Sequence, residues 1–336
     1  MRALTISAHG GLDRLELRDD LPLPLAGPGQ VRVRVLAAAL NHLDLFVLSG
    51  LPGVEITPRW IVGADAVGIL EGTDDLVVVN PGISDGTCRY CLGGEQSLCV
   101  RFRLLGEHVP GTIAEYIVVP ARNVARIPRD TPIPQAAAFT LSTLTAWRML
   151  VTRAQLRPDD DVLIQGIGGG VALAALQIAK HVGAHVWVTS SSDAKLARAR
   201  ELGADETLNN RTVDVAREVR ARTGKRGVDV VVDSVGEATW TSSLGSLGKL
   251  GRLVTCGATS GPNVTTDARR LFWNQWSILG STMGNDAEFE AVTDQVRQGR
   301  LLPPIDSVFD MAHGRDAFAR LASGEQFGKI VVQVGG

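Results

Sequence analysis

The run Val162-Leu163-Ile164-Gln165-Gly166-Ile167-Gly168-Gly169-Gly170-Val171-Ala172 leads directly into the apolar segment 173–180. A buried strand, a glycine turn and an apolar helix, in that order, form the first half of a dinucleotide-binding unit. Glycine lets the backbone approach a pyrophosphate, and the helix N-terminus offers free N–H groups and a favourable dipole. The strict G-x-G-x-x-G spacing is absent: Ile167, Gly169 and Ala172 stand where its three glycines would be. Ala172 is small enough for close helix–strand packing, whereas Ile167 crowds the turn unless Gly166 and Gly168 relax it. The expected phosphate contacts are Gly166, Gly168, Gly169, Gly170 and Val171.

The same texture continues along the chain. Short apolar runs rich in β-branched residues at 162–165, 186–189, 228–233, 253–256 and 277–279 alternate with helical stretches, notably 171–182 and 194–202. Nearly all-apolar strands separated by helices predict a parallel sheet covered on both faces. In such a unit the end of the second strand meets the nucleotide ribose, where an acidic residue selects a free 2′-hydroxyl. Here that strand ends Val188-Thr189-Ser190-Ser191-Ser192, with Lys195 one helical turn on. Hydroxyl donors and a cation suit a 2′-phosphate, so Ser190, Ser191 and Lys195 predict NADPH. The alternative is that the serines only cap the helix beginning near Asp193.

Upstream the pattern is different. Val31-Arg32-Val33-Arg34-Val35 alternates apolar and charged residues, as a half-buried strand does. Further short strands at 60–62, 76–79 and 114–119, separated by Gly, Pro and Asn, predict a compact barrel or sandwich. Proline density around 128–134 marks a domain boundary, and a helical stretch follows at 135–152. The tail segments 289–297, 315–321 and 329–334 have a mixed pattern and are expected to fold back onto the N-terminal domain.

Composition narrows the function classes. A length of 336 residues suits two domains, and 45% hydrophobic residues exclude a disordered chain. With 34 Lys plus Arg against 36 Asp plus Glu, the net charge is −2, so neither nucleic acid nor an anionic membrane is the expected partner. No stretch approaches the ~18 apolar residues of a membrane span. The opening MRALTISAHGG lacks the apolar core of a secretory signal. The chain therefore reads as cytoplasmic.

Several ordered motifs together resemble the medium-chain dehydrogenase/reductase superfamily, in its zinc-type alcohol dehydrogenase-like and quinone oxidoreductase-like branch. They are Leu40-Asn41-His42-Leu43-Asp44, Gly63-Ala64-Asp65, the cysteine lobe at 80–99, Leu144-Thr145-Ala146-Trp147, Val232-Asp233-Ser234-Val235-Gly236 and Ser277-Ile278-Leu279-Gly280-Ser281. The resemblance implies an α/β protein: a Rossmann doubly wound parallel sheet at 128–282, plus a GroES-like β-rich substrate domain from 1–127 and 283–336. It places the active site in the cleft between them. It also implies that His42, Ser234, Val235, Cys256, Gly257, Ala258, Ser281 and Thr282 line the cofactor site, and that Thr145 approaches the nicotinamide edge. Cys256 is then a packing residue, since no His–Asp constellation accompanies it.

The zinc-dependent members that it resembles use Cys at the position of Asn41, a His-Glu pair at Ala64-Asp65, and commonly Cys near Leu141. A catalytic zinc needs about three protein ligands, and of these only Asp65 remains. Asn41 with Asp44 instead resembles the N-x-x-D of zinc-independent quinone and enone reductases. By that resemblance Asn41 lies near the substrate carbonyl, where its amide would donate to developing enolate charge, while Asp44 orders the loop. The bland reading of Asn41 is a turn residue bonded to its own backbone.

Cys88-x2-Cys91-x7-Cys99 matches three of four thiolates of the structural-zinc lobe in the zinc-containing relatives, and Asp85 falls at the first position. Zinc accepts a carboxylate oxygen, so Asp85, Cys88, Cys91 and Cys99 form a sound tetrahedral set; the alternative is a relic lobe with reduced thiols. The hairpin at 68–79 is about ten residues shorter than the resemblance implies. The expected activity is NADPH-dependent reduction of a quinone or α,β-unsaturated carbonyl by a homodimer, without catalytic zinc. The rivals are an alcohol dehydrogenase with unusual ligands (Asp65, His42 and water) and a non-catalytic protein that keeps the fold.

Overall fold

The computed structural model describes residues 1–335. Two compact units emerge, Met1–Leu144 with Gly284–Gly336, and Thr145–Met283. The division falls later than the 127/128 boundary that proline density suggests. The reason is local: the helix Ile133–Ala138 buries Ala136, Ala137 and Ala138 and packs on strands Gln30–Ala39 and Asp65–Leu70 of the first unit. The expected helix at 135–152 is broken into Ile133–Ala138, Thr140–Trp147 and a wider π-type turn at Arg148–Arg153.

The first unit is built around Gln30–Ala39, which pairs with Asp65–Leu70, Tyr116–Pro120 and Lys329–Gln333. Its alternation holds: Val33 and Val35 are buried and Arg34 is exposed. The tail does return to this unit, because Lys329–Gln333 pairs antiparallel with Ala37–Ala39 and parallel with Ile305–Asp310. Val33, Val35, Leu40, Ile113, Phe318 and Val332 belong to one buried cluster. The short hairpin closes cleanly: Leu70 N–H donates to Asp75 O (3.0 Å), and Gly72 adopts φ +77° between the strands. A two-stranded ribbon, Gly82–Ile83 with Arg103–Leu104, brackets the cysteine lobe.

The second unit is a six-stranded parallel sheet in the order Glu206–Asn209, His185–Ser190, Asp161–Ile164, Val228–Asp233, Leu247–Thr255, Ser277–Gly280. It is a Rossmann sheet, and chain order reverses beside Asp161–Ile164, the switch point at which such folds bind ligands. Glu206–Asn209 carries too little apolar pattern to read as a strand in sequence. The helix Gly170–Val182 buries seven apolar side chains and stops at Gly183, in the left-handed conformation that ends helices. Among the described residues no helix is long and apolar enough to cross a membrane.

Candidate active site and metal lobe

The glycine turn leaves Asp161–Ile164 and enters the helix Gly170–Val182. Gly166 (φ +69°) and Gly168 (φ +130°) both take conformations that favour glycine, and between them Ile167 turns its side chain into the core, 2% exposed. The flanking glycines thus relieve the crowding that Ile167 would cause. Gly166 N–H donates to Thr189 Oγ1 (3.0 Å) and Ile167 N–H to Thr189 O (2.8 Å), tying the turn to the second strand. Gly169 caps the helix without a side-chain acceptor. The first-turn N–H groups of Gly170 and Val171 are therefore open to an anion.

Most of the remaining expected cofactor residues gather at the same edge of the sheet. Ser190 ends the second strand, Ser234 and Val235 follow the fourth, Cys256, Gly257 and Ala258 the fifth, and Ser281 and Thr282 the sixth. Ser281 Oγ is buried with no hydrogen-bond partner, an orphaned donor that fits a ligand at this edge. Burial and the charge of Asp233 push the Cys256 thiol up to about 12, which suits packing and not nucleophilic attack. Ser192, not Ser190 or Ser191, caps the helix Asp193–Glu201, accepting from Lys195 N–H. Ser190 Oγ accepts from Ser192 N–H, and Ser191 is exposed. The next acid, Asp193, accepts from Asn209 Nδ2 on the third strand (2.7 Å). Thr145 is buried, its Oγ1 3.8 Å from Met283 Sδ.

In the first unit, the positions where the resemblance puts catalytic zinc ligands hold a hydrogen-bonded hub. Asp65, fully buried, accepts from Thr140 Oγ1 (2.5 Å) and Leu141 N–H (2.7 Å) on one oxygen. Its other oxygen accepts from Asn41 Nδ2 (2.9 Å) and Lys329 Nζ (3.0 Å). Lys329 Nζ also donates to Asn41 Oδ1 at 2.5 Å. Asn41 thus shares a capping box with Asp44 at the helix start and also holds two distant side-chain partners, Asp65 and Lys329. Asp44 does tie the loop: its carboxylate accepts from Asn41 N–H (2.7 Å) and Gly63 N–H (3.1 Å). Gly63 has φ +96°, and a Cβ there would meet Ile113. Burial pushes the Asp44 carboxyl up to about 7. His42 is exposed on the first helical turn, yet partial desolvation and then the Lys329 charge hold its imidazole below the usual range. Thr140 and Lys329 escape sequence reading. The only hint is a lone lysine opening the apolar strand Lys329-Ile330-Val331-Val332.

The lobe brings its four expected ligands together. One ligand atom from each of Asp85, Cys88, Cys91 and Cys99 lies within 4.8 Å of the others. Cys88 Sγ and Cys91 Sγ are 3.5 Å apart. Asp85 Oδ1 accepts from the N–H groups of Thr87 and Cys88, whereas the buried Oδ2 makes no hydrogen bond, with the Arg101 guanidinium 3.5 Å away. Cys99 Sγ accepts from Asp85 N–H and Arg101 N–H. Backbone N–H groups, first that of Cys91, lower the Cys88 thiol to about 7. A free carboxylate oxygen and three converging sulfurs, bonded by N–H donors, fit tetrahedral zinc. Purified protein is expected to carry one zinc per chain by mass spectrometry, and its removal by a chelator to lower Tm by several degrees. Metal-free protein with an unchanged Tm would mean a relic lobe.

Comparison with known proteins places these features. Residues 27–129 match the family model for the alcohol dehydrogenase GroES-like domain, and residues 170–298 that for zinc-binding dehydrogenase. The chain is 33% identical over 350 residues to an NAD-dependent alcohol dehydrogenase of Sulfolobus acidocaldarius, covering 99% of this chain and 100% of the relative. It is 29% identical over 344 residues to a 2-haloacrylate reductase of a Burkholderia species, covering 98% of each. A crystal structure of an NAD-dependent alcohol dehydrogenase superposes with TM-score 0.94 at 42% identity, over 100% of both chains. The chain belongs to the zinc-type alcohol dehydrogenase-like family of medium-chain dehydrogenases/reductases, and is an oxidoreductase of that family.

Proposed function

We propose that the chain is an NADPH-dependent reductase of quinones or α,β-unsaturated carbonyls that works without a catalytic zinc. The observation that carries the proposal is the saturation of Asp65. Its carboxylate already accepts four hydrogen bonds, from Thr140, Leu141, Asn41 and Lys329, which uses its lone-pair sites. With an amide at Asn41, an ammonium beside it and a leucine at 141, the hub offers a metal no ligand set and opposes it with a positive charge. The rival using Asp65 and His42 as zinc ligands loses its main donor.

When bound, a reduced pyridine nucleotide supplies one hydride. At a conjugated acceptor, hydride arriving at the β-carbon sends the π electrons to the carbonyl oxygen as an enolate. The α-carbon then takes its proton from water. Asn41 keeps one amide hydrogen beyond the one given to Asp65, and that hydrogen is the donor for the enolate oxygen. The 2-haloacrylate reductase among the relatives, whose substrate name denotes a conjugated alkene, supports this substrate class.

The NADPH half of the proposal rests on Ser190, Ser191 and Lys195 and on the absence of an acid at the end of the second strand. Three curated relatives and one solved structure are named NAD-dependent and weigh the other way. Parallel titrations followed by tryptophan fluorescence are expected to give at least tenfold tighter binding of NADPH, about 1.4 kcal/mol. Lys195→Ala should erase most of that difference. Tighter binding of NADH overturns the assignment and leaves the reductase class standing.

We also propose a homodimer. Ser277–Gly280 is an edge strand with Ile278 36% exposed, and Phe272 and Trp273 nearby in the chain are 67% and 75% exposed. An open edge beside apolar side chains favours strand addition by a second copy. Light scattering should give a two-chain mass in solution, lost in Ile278→Glu; a one-chain mass contradicts it.

A further inference from the structure

Lys329 opens the last strand, Lys329–Gln333. That strand runs antiparallel to the end of Gln30–Ala39, and Leu40 N–H donates to Ile330 O (2.9 Å), so the register sets Lys329 beside Asn41. Only 3% of Lys329 is exposed. An ammonium this deeply buried is costly to desolvate and is kept only with close partners. Its partners form a closed ring: ammonium to Asn41 Oδ1, Asn41 Nδ2 to Asp65, and ammonium to the same Asp65 oxygen. The ring admits one amide orientation. Flipping Asn41 would set its NH2 against the ammonium and its oxygen against the carboxylate, two repulsive contacts in place of two bonds.

We propose that Lys329 is a positioning residue for the reaction: it locks the Asn41 amide and, by drawing electron density toward Oδ1, strengthens the remaining Nδ2–H as a donor to enolate charge. This rests on the reductase reading given above. Positive charge acts on the reacting oxygen through the amide, without a ligand contact by Lys329 itself. Hydrogen bonds that end on a charged group polarise their neighbours in a water-poor site. The other ionisable groups facing this ammonium are Asp44, Asp65 and His42.

A double-mutant cycle in kcat tests the proposal. Lys329→Met is expected to lower kcat about tenfold or more with KM for the nucleotide unchanged. In an Asn41→Ala background the same change should cost about twofold or less, because the amide through which it acts is gone. Equal losses in both backgrounds, or no loss in the wild type, overturn it. A second readout is independent of turnover and of the folding of any Lys329 variant. The Asn41 side-chain amide protons, assigned by their loss in Asn41→Ala, are expected to exchange at least about a hundredfold more slowly than those of an exposed asparagine. Exchange as fast as an exposed asparagine means that the amide is not locked, and contradicts the proposal. If wild-type protein reduces no quinone or enone with either nucleotide, the reductase reading fails, while slow exchange that speeds up in Lys329→Met still shows that Lys329 holds the Asn41 amide.

Discussion

Asp65→Ala is expected to remove about 3–5 kcal/mol of folding stability, the cost of leaving a buried ammonium without its counter-charge. Asp65 is fully buried and Lys329 is 3% exposed, so water cannot replace the lost carboxylate without opening the first unit. The loss extends beyond the ion pair, because Thr140 Oγ1, Leu141 N–H and Asn41 Nδ2 all surrender an acceptor. Urea unfolding of the variant should show a lower midpoint with an unchanged m-value. Adding Lys329→Met to Asp65→Ala should restore a substantial part of the loss, since the stranded charge is then gone. A loss below about 1 kcal/mol would mean that the ammonium finds water, and that the hub is not the sealed unit described here.

Asn41→Ala is expected to lower kcat for a conjugated acceptor about a hundredfold, the usual effect of removing one donor to developing oxyanion charge. KM for the nucleotide should hold, because the phosphate turn of Gly166–Gly170 does not involve Asn41. Stability should fall by about 1–3 kcal/mol, from an ammonium and a carboxylate each losing one bond. The kinetic and stability effects are separable by working well below the melting transition. An Asn41→Ala enzyme with full turnover would assign Asn41 to structure alone.

The fold was legible where local pattern and burial agree. The alternation at Val33–Val35 and the apolar runs Val162–Ile164 and Val230–Val232 read correctly, because those side chains are sorted by the faces on which they fall. Glu206–Asn209 did not, since an edge strand with a half-exposed ladder needs little apolar sequence. The division into compact units falls past the prolines for a related reason. Pro128 and Pro132 interrupt helix and strand pairing, but the helix that follows buries three small alanines and packs back on strands Gln30–Ala39 and Asp65–Leu70. Within the site, the cysteine lobe was readable because metal-ligand spacing is local. The partners of Asn41 were not: Asp65 and Lys329 lie 24 and 288 positions away, and Thr140 joins them only through Asp65. Only the strand register reveals that meeting. The serines after Val188 show the limit of motif reading, since the cap belongs to Ser192 while Ser190 and Ser191 stay at the strand end.

The most direct measurement of the central claim is turnover by protein whose metal content has been counted. One preparation would be assayed with NADPH against a simple quinone and a simple enone, and with the oxidised nucleotide against primary and secondary alcohols. The account predicts one zinc per chain, bound at the lobe, and reduction of a conjugated acceptor with negligible alcohol oxidation. Two metal ions per chain, with alcohol oxidation that vanishes when the second is stripped, would contradict it.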